Sequence, residues 1–342
     1  MHLVAELRFN RKYLLHMNNK RNVEIDIAKG IGILLVIIGH GAIPSWSKDA
    51  ISSFHMPLFF ILSGYFFRDE NPLTRVQKDA KRLLLPYVVT MTVITLYMLV
   101  VHQLFKHDGW YYFINLLWFW IFPTGAPGGL YFSGPIWFLF ALFWTKSTFN
   151  IIEKNHTRWF YPLIAFVAFV PFYIYYQIGI DLPLAISQGL TSIVFYWGGY
   201  ECKKHELSLG SSKSKRLILL FFVFWILGTI YSDLNVMSLV YHHYPICILT
   251  AFIGTYLVVE ISKYISKQKH IVVRKLSYFL SWGGQNTMTI LCAHTLFRFT
   301  PVMMPFEKIN STFALCMQII LCCLTAWMCR KIKLARIIFG IK

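Results

Sequence analysis

Long runs of apolar residues, separated by short polar and basic segments, dominate this chain. A run of about 20 apolar residues is long enough to cross the roughly 30 Å hydrocarbon core of a membrane as a helix. The stretch 110–123 is apolar but short and very aromatic, which is typical of an interfacial or re-entrant segment. The pattern predicts an all-α fold, a polytopic membrane helix bundle of about ten transmembrane helices. The predicted spans are residues 25–44, 51–67, 83–104, 130–149, 159–178, 182–200, 217–233, 244–262, 286–305 and 311–329.

The composition supports this fold class. Of the 342 residues, 56% are hydrophobic and only 14% are charged. A soluble protein of this size needs more polar surface, so the composition excludes a soluble globular enzyme, a disordered chain and a fibrous repeat. Because no repeat or Ser/Pro-rich linker divides the chain, we predict one transmembrane domain at 25–329. A cytoplasmic segment 1–24 precedes it and a cytoplasmic basic tail 330–342 follows it.

The positive charge is distributed unevenly along the chain. The net charge of +18 would suggest nucleic-acid binding in a soluble protein. However, the basic residues concentrate in segments that fall on one side if the N-terminus is cytoplasmic, as the positive-inside rule predicts. The charge therefore indicates topology and attraction to membrane lipid, with both termini cytoplasmic and no nucleic-acid partner. Residues 1–20 are polar and basic, so no cleavable signal peptide is expected. All but five of the 33 Lys and Arg residues lie before the first span, after the last span, or in segments 68–82, 146–158, 201–216 and 263–285, the exceptions being Lys29, Lys48, Lys106, Arg298 and Lys308.

The first span carries two residues that are costly at membrane depth and therefore indicate function. Lys29 and His40 are eleven positions apart, which brings an α-helix back to within about 20° of the same face and separates them by roughly 16 Å. We predict a cation near the cytoplasmic edge and an imidazole deeper on one face. Asp26 lies three residues before Lys29 and can pair with it. Lys29 as an ordinary snorkelling residue remains an alternative.

Two further histidines are predicted within the bundle. His55 lies near the outer end of the second span, at a depth comparable to His40 if these helices form a hairpin, and His294 lies midway along the ninth span. Three imidazoles are compatible with a general-base site. A buried packing role remains open for each of them. We predict no metal site, because the histidine spacing does not suit zinc and the seven cysteines fit no ligand pattern.

At these residues the sequence resembles the acyltransferase-3 family of integral membrane proteins, particularly its branch related to fucose 4-O-acetylase. The family has an Arg or Lys, ten residues and then a His in its first span, as in Lys29 to His40. The stretch 54–64 (FHMPLFFILSG) is similar to the family's second-span motif, and 78–87 (KDAKRLLLPY) to the basic run that enters its third span. Weaker similarities lie at 134–139 and at 283–287 with His294.

The resemblance implies transfer of an acyl group, usually acetyl, from cytoplasmic acetyl-CoA or another acyl-CoA to a carbohydrate hydroxyl. The expected partners are acyl-CoA as donor substrate, a carbohydrate acceptor, membrane lipid and a polysaccharide biosynthesis system. No permanently bound cofactor is expected. The implied location is a bacterial inner (plasma) membrane.

Our hypothesis assigns each candidate residue a role in this reaction. His40 is the general base, His55 an orienting or second proton-handling group, and Lys29 with Asp26 lines the entry of the donor. The donor-binding residues are Lys78, Lys81 and Arg82, which suit the phosphates of CoA but also fit ordinary positive-inside charge. The acceptor or pocket residues are His294, Trp137, Asn286 and Ser63. Asn286 is equally a candidate helix cap, and the aromatic residues near the acceptor equally fit interfacial anchoring: Trp110, Tyr111, Tyr112, Trp118, Trp120 and Trp137.

Two other classes of protein remain open. A polytopic transporter or flippase for a glycan intermediate also has titratable residues in its membrane helices. The chain lacks the matching pair of Gly/Pro-broken segments that such a transporter would show. A structural subunit of a polysaccharide machine would show no turnover.

Overall fold

The computed structural model describes residues 22–105, 113, 117–124, 134–155, 158–205 and 215–341, and their regular structure is almost entirely helical. Residues 1–21, Lys106, Trp110, Tyr111 and Tyr112, and parts of the predicted segments 130–149 and 201–216 lie outside this description. The helices of the first half are α1 (Val23–Gly39), α2 (Ser45–Ser52), α3 (His55–Tyr65), α4 (Pro72–Asp79), α5 (Leu85–Phe105), α6 (Trp137–Lys154) and α7 (Phe160–Ile178). Those of the second half are α8 (Ile186–Thr191), α9 (Ile193–Lys204), α10 (Lys215–Tyr231), α11 (Tyr244–Lys267), α12 (Ile271–Gln285), α13 (Thr287–Phe299), α14 (Met304–Glu307), α15 (Ser311–Cys329) and α16 (Lys333–Phe339).

Short non-α elements join some of these helices. A π-helical turn at Ala80–Leu84 connects α4 to α5, and 3-10 turns at Pro183–Ala185 and Pro301–Met303 precede α8 and α14. Strands β1 (Leu234–Asn235) and β2 (Val240–Tyr241) pair antiparallel between α10 and α11.

Four continuous helical segments in the described residues are long and apolar enough to cross a membrane: Pro72–Leu104, Phe160–Ile178, Tyr244–Lys267 and Ser311–Cys329. They coincide with the third, fifth, eighth and tenth predicted spans. The helical, membrane-compatible character of the chain is therefore confirmed. The count of ten spans stays a prediction.

Two of the other predicted spans contain shorter helices because the backbone breaks inside them. The sixth predicted span is divided into α8 and α9 at Ser192, after a turn in which Leu184 and Ala185 have left-handed φ angles of 56° and 53°. The ninth is reduced to α13, since Asn286 separates it from α12 and the helix ends at Phe299. Each break is a short interruption between apolar residues, so hydropathy averaged over a whole span does not reveal it.

Residues 263–285 were expected to form a basic loop, and this prediction is wrong. α11 continues to Lys267, and α12 occupies most of the remainder and packs along α1. The buried positions of α12 include Ser277, Ser281 and Gly284. Arg274 and its neighbour Lys275 lower the mean hydropathy of α12, while small side chains form the face that packs against α1.

Glycine allows two pairs of helices to approach backbone to backbone. A Cβ on Gly30 would overlap a carbonyl oxygen of α12, and a Cβ on Gly284 would overlap a carbonyl oxygen of α1. Gly64 and Gly199 produce the same close approach between α3 and α9. Small residues at helix contacts are typical of membrane bundles, where packing rather than water exclusion drives association. These contacts fix the positions of α1 and α3.

The apolar core lies between helices α3, α5, α6, α9 and α13. Phe60 of α3 and Phe138 of α6 form an edge-to-face pair with ring centroids 5.2 Å apart. Outside this core, α7 and α10 expose large apolar side chains, a surface suited to lipid tails. Examples are Leu163, Phe166 and Phe169 on α7, and Leu219, Phe224 and Leu227 on α10.

Helices α1 and α3 define two ends of the bundle. His40 follows α1 and His55 begins α3, with α2 between them, and we call this the histidine end. At the other end of α3, Phe66 lies against Lys29, and the chain continues into α4. We call this the basic end, because the segment from Arg68 to Arg82 follows there. In the predicted topology the basic end faces the cytoplasm.

Candidate functional site

His40 is held in one tautomer by the end of its own helix. Its Nδ1 lies 2.7 Å from the Val36 carbonyl oxygen, and the residue is half-buried. A carbonyl oxygen only accepts hydrogen bonds, so neutral His40 carries its proton on Nδ1 and keeps the lone pair on Nε2. Arg298 of α13 donates from Nη1 to the His40 carbonyl oxygen at 3.1 Å and steadies the peptide. The arrangement leaves Nε2 able to act as a base.

His55 repeats this arrangement on the next helix. Its Nδ1 lies 2.8 Å from the Ile51 carbonyl oxygen, which again places the proton on Nδ1 and the lone pair on Nε2. His55 is half-buried, and it lies close enough to His40 for electrostatic interaction. The two histidines therefore share the histidine end, as the hairpin argument expected.

His294 contacts His40 directly. The ring centroids are 5.2 Å apart, and the planes are inclined at 66° in an edge-to-face arrangement. The His294 side chain is fully buried, and neither ring nitrogen has a hydrogen-bond partner among the described residues. Residues 254 positions apart in the sequence thus form one imidazole cluster, whereas the sequence predicted only that His294 lies in the same bundle as His40.

Lys29 and Asp26 lie toward the basic end of α1. The helical rise separates Lys29 from His40 by about 16 Å along the axis. The Lys29 ammonium lies 5.5 Å from the centroid of the Phe66 ring, within the range of a cation–π interaction. Asp26 is buried where α12 packs against α1. Their role at the entry of the donor stays a prediction.

The predicted donor-binding residues lie together at the basic end. Lys78, Lys81 and Arg82 are all exposed. Lys78 donates a hydrogen bond of 3.0 Å to Glu70, and this contact lowers the pKa of the Glu70 carboxyl below its ordinary value. Lys81 and Arg82 extend from the π-helical turn toward solvent, where anionic groups can reach them. The geometry is compatible with phosphate binding and equally with ordinary topological charge.

The sequence interpretation missed a buried ionic cluster beside this basic run. Asp79 is 4% exposed, and its carboxylate accepts hydrogen bonds from Lys146 of α6 and, at 2.8 Å, from Nε of Arg75. The prediction that Lys146 is a loop charge is wrong, because α6 extends to Lys154 and buries Lys146 to 6% exposure. The available signal in the sequence was a single acidic residue, Asp79, within the otherwise basic run 75–82.

The remaining pocket residues do not all join the imidazoles. Trp137 is buried at the start of α6 against Phe138, so it is a core residue rather than an exposed interfacial anchor. Ser63 is half-buried and lies about 12 Å along α3 from His55, toward the basic end.

Asn286 occupies the break between α12 and α13. The cap interpretation is wrong, because its side chain makes no capping hydrogen bond. Nδ2 instead donates to the Trp282 carbonyl oxygen at 2.6 Å, and Oδ1 is buried with no hydrogen-bond partner in the described part of the chain.

His, Cys, Asp and Glu side chains, the common protein ligands of transition metals, occur throughout the described ranges. No group of three or more His, Cys, Asp or Glu residues there is arranged to hold a metal ion. The seven cysteines are free thiols.

Comparison of the sequence with known proteins identifies the family of this chain. Over 91 residues the chain is 38% identical to Nodulation protein NolL of Mesorhizobium japonicum (strain LMG 29417 / CECT 9101 / MAFF 303099), covering 22% of this chain and 24% of that protein. The chain thus spans about a quarter of the length of the curated relative that it matches. No solved structure matches it. The family model of the acyltransferase-3 domain matches residues 22–336, nearly the whole chain, and the protein therefore belongs to the acyltransferase-3 family.

Proposed function

We propose that this protein is a membrane O-acyltransferase that moves an acetyl group from acetyl-CoA to a hydroxyl of a cell-surface carbohydrate. The observation that carries the proposal is the hydrogen bond from His40 Nδ1 to the Val36 carbonyl oxygen, which leaves Nε2 as a base in a chain of an acyltransferase family. The proposal includes ten spans, a bacterial inner membrane, cytoplasmic termini and the branch related to fucose 4-O-acetylase.

The reaction needs one proton to be moved and returned. His40 Nε2 removes the proton of the acceptor hydroxyl as its oxygen attacks the thioester carbonyl carbon. The tetrahedral intermediate then expels the CoA thiolate, which takes the proton back from the His40 imidazolium. The products are the acyl ester and CoA thiol, and the enzyme returns to its starting state. His55, which also carries its lone pair on Nε2, serves as the second proton-handling group.

The donor approaches from the basic end. Lys78, Lys81 and Arg82 bind the phosphates of CoA at the surface, where charge-assisted hydrogen bonds are strong. Lys29 and Asp26 line the path, and the flexible pantetheine arm spans the roughly 16 Å between Lys29 and His40. Apolar helices around this path limit access of water, which would otherwise hydrolyse the thioester.

The proposal is tested with purified protein in proteoliposomes. Radiolabelled acetyl-CoA and candidate carbohydrate acceptors are supplied, and both CoA thiol release and labelled ester are measured. The wild type is expected to release thiol only when an acceptor is present. His40→Ala is expected to lower kcat by about 10²-fold or more, the size of a general-base contribution.

A matched control separates loss of the base from general damage. His270→Ala replaces an exposed histidine before α12 and is expected to retain wild-type turnover. Near-normal turnover of folded His40→Ala would remove His40 from the mechanism. Movement of a glycan across the bilayer, with no acceptor-dependent release of CoA thiol, would favour the transporter instead.

A further inference from the structure

His294 combines complete burial with unused hydrogen-bonding capacity. Its side chain is 0% exposed, and both Nδ1 and Nε2 lack a hydrogen-bond partner in the described ranges. A neutral imidazole always has one N–H donor and one acceptor nitrogen. Burying both without partners is unfavourable, so a purely structural role would favour an apolar residue here. The ring is instead kept polar beside His40.

His40 and His294 are placed so that one imidazole can accept a proton while the other donates a hydrogen bond to the same substrate. The edge-to-face rings have centroids 5.2 Å apart and are therefore in direct contact, so a reacting group held beside His40 also lies close to the His294 ring. The backbone contact to Val36 assigns the acceptor nitrogen of His40. Among the residues that the structure describes, no backbone contact assigns the tautomer of His294, so either ring nitrogen can present the N–H.

The other cations near the bundle axis are less suited to the carbonyl oxygen. Lys29 lies about 16 Å from His40 along α1. The Arg298 guanidinium is exposed and donates to the backbone carbonyl of His40. Once His40 has taken a proton, a second positive charge on His294 would be repelled by it and by Arg298. Neutral His294, whose ring contacts that of His40, is therefore the donor suited to the carbonyl oxygen.

Resting on the proposed function, we propose that His294 is a catalytic residue whose imidazole N–H stabilises the oxyanion of the acyl group. When the acceptor oxygen bonds to the thioester carbon, the carbonyl π electrons move to oxygen, and His294 donates its hydrogen bond to that oxygen. When the carbon–sulfur bond breaks, the carbonyl re-forms and His294 keeps its proton. The proton itself passes from the hydroxyl to His40 and then to the CoA thiolate.

The test compares three substitutions in the full-length protein in proteoliposomes. His294→Ala removes the donor and is expected to lower kcat by about 10²–10³-fold with little change in KM for acetyl-CoA, as for loss of one oxyanion donor. His294→Gln retains an N–H but cannot shuttle a proton, and is expected to remain within about tenfold of wild type, well above the level of a lost donor. Thr295→Val is the control, since its buried hydroxyl already donates to the Leu291 carbonyl oxygen within α13. It is expected to match wild type.

Each outcome bears on the role of His294 separately from the overall activity. Folding is monitored by size-exclusion chromatography in detergent, and wild-type turnover shows that the proposed reaction occurs. Near-normal kcat in His294→Ala overturns the inference. Folded His294→Gln that is as inactive as His294→Ala also overturns it, because the residue would then transfer a proton. If His294→Ala does not fold, the activity of folded His294→Gln alone decides.

Discussion

Replacing Asp79 with alanine is expected to destabilise the bundle more than any change to an exposed charge. Asp79 is 4% exposed and joins Arg75 on α4 to Lys146 on α6, which is itself 6% exposed. The substitution leaves the Lys146 ammonium buried without its carboxylate. Removing one partner of a buried ion pair typically costs about 3–5 kcal/mol, because the remaining charge is desolvated and uncompensated.

The measurement is equilibrium unfolding in mixed micelles, followed by tryptophan fluorescence. Asp69→Ala is the matched control, because its contact with Lys154 is 3.7 Å long and the two side chains are 65% and 51% exposed. Such a surface pair contributes about 0–1 kcal/mol, so the control is expected to unfold nearly as the wild type does.

A double variant tests the cause. Asp79→Leu with Lys146→Met replaces both charges by apolar groups and is expected to recover much of the lost stability, since buried pairs often contribute little net stability over well-packed apolar residues. If Asp79→Ala is no less stable than Asp69→Ala, the buried pair does not hold α4 against α6. If the double variant is as unstable as Asp79→Ala, the uncompensated charge is not the reason for the loss.

Three further predictions concern α12 and the donor path. Gly284→Ala is expected to destabilise the protein by about 1–3 kcal/mol in the same unfolding assay, because its Cβ would overlap a backbone carbonyl of α1. Gly283→Ala is the control and should be tolerated, because its added Cβ makes only ordinary van der Waals contact. Lys29→Ala is expected to raise KM for acetyl-CoA and Lys29→Arg to preserve it, and equal loss in both would show that charge alone is not what matters. The double change Lys81→Glu with Arg82→Glu is expected to raise KM for acetyl-CoA several-fold, because the new carboxylates repel its phosphates. An unchanged KM in steady-state kinetics would show that both residues contribute only to membrane topology.

The helical class of the fold could be predicted because apolar run length is a local property. The run at 159–178 predicts the helix Phe160–Ile178, and the run at 311–329 matches Ser311–Cys329. α12 was missed for the opposite reason. Its packing face consists of small residues such as Gly284, which stabilise the helix only by close contact with α1, a segment far away in the sequence.

The candidate site divides in the same way. The eleven-residue interval between Lys29 and His40 follows from helix geometry, and the resemblance to the acyltransferase-3 family was confirmed by a match over 22–336. The tautomer of His40 depends on a backbone carbonyl one turn earlier, which only coordinates reveal. The contact between Asp79 and Lys146 joins residues 67 positions apart, and the sequence analysis assigned Lys146 to a basic loop.

The sequence by itself determined the helical membrane class, the family, and the polar residues placed within apolar runs, because hydropathy, spacing and motif are carried by neighbouring residues. Only the tertiary structure decided that His294 lies against His40, that α12 packs on α1, and that the carboxylate of Asp79 and the ammonium of Lys146 are buried together. These contacts depend on where helices cross, and crossing is set by the shapes of surfaces far apart in the chain.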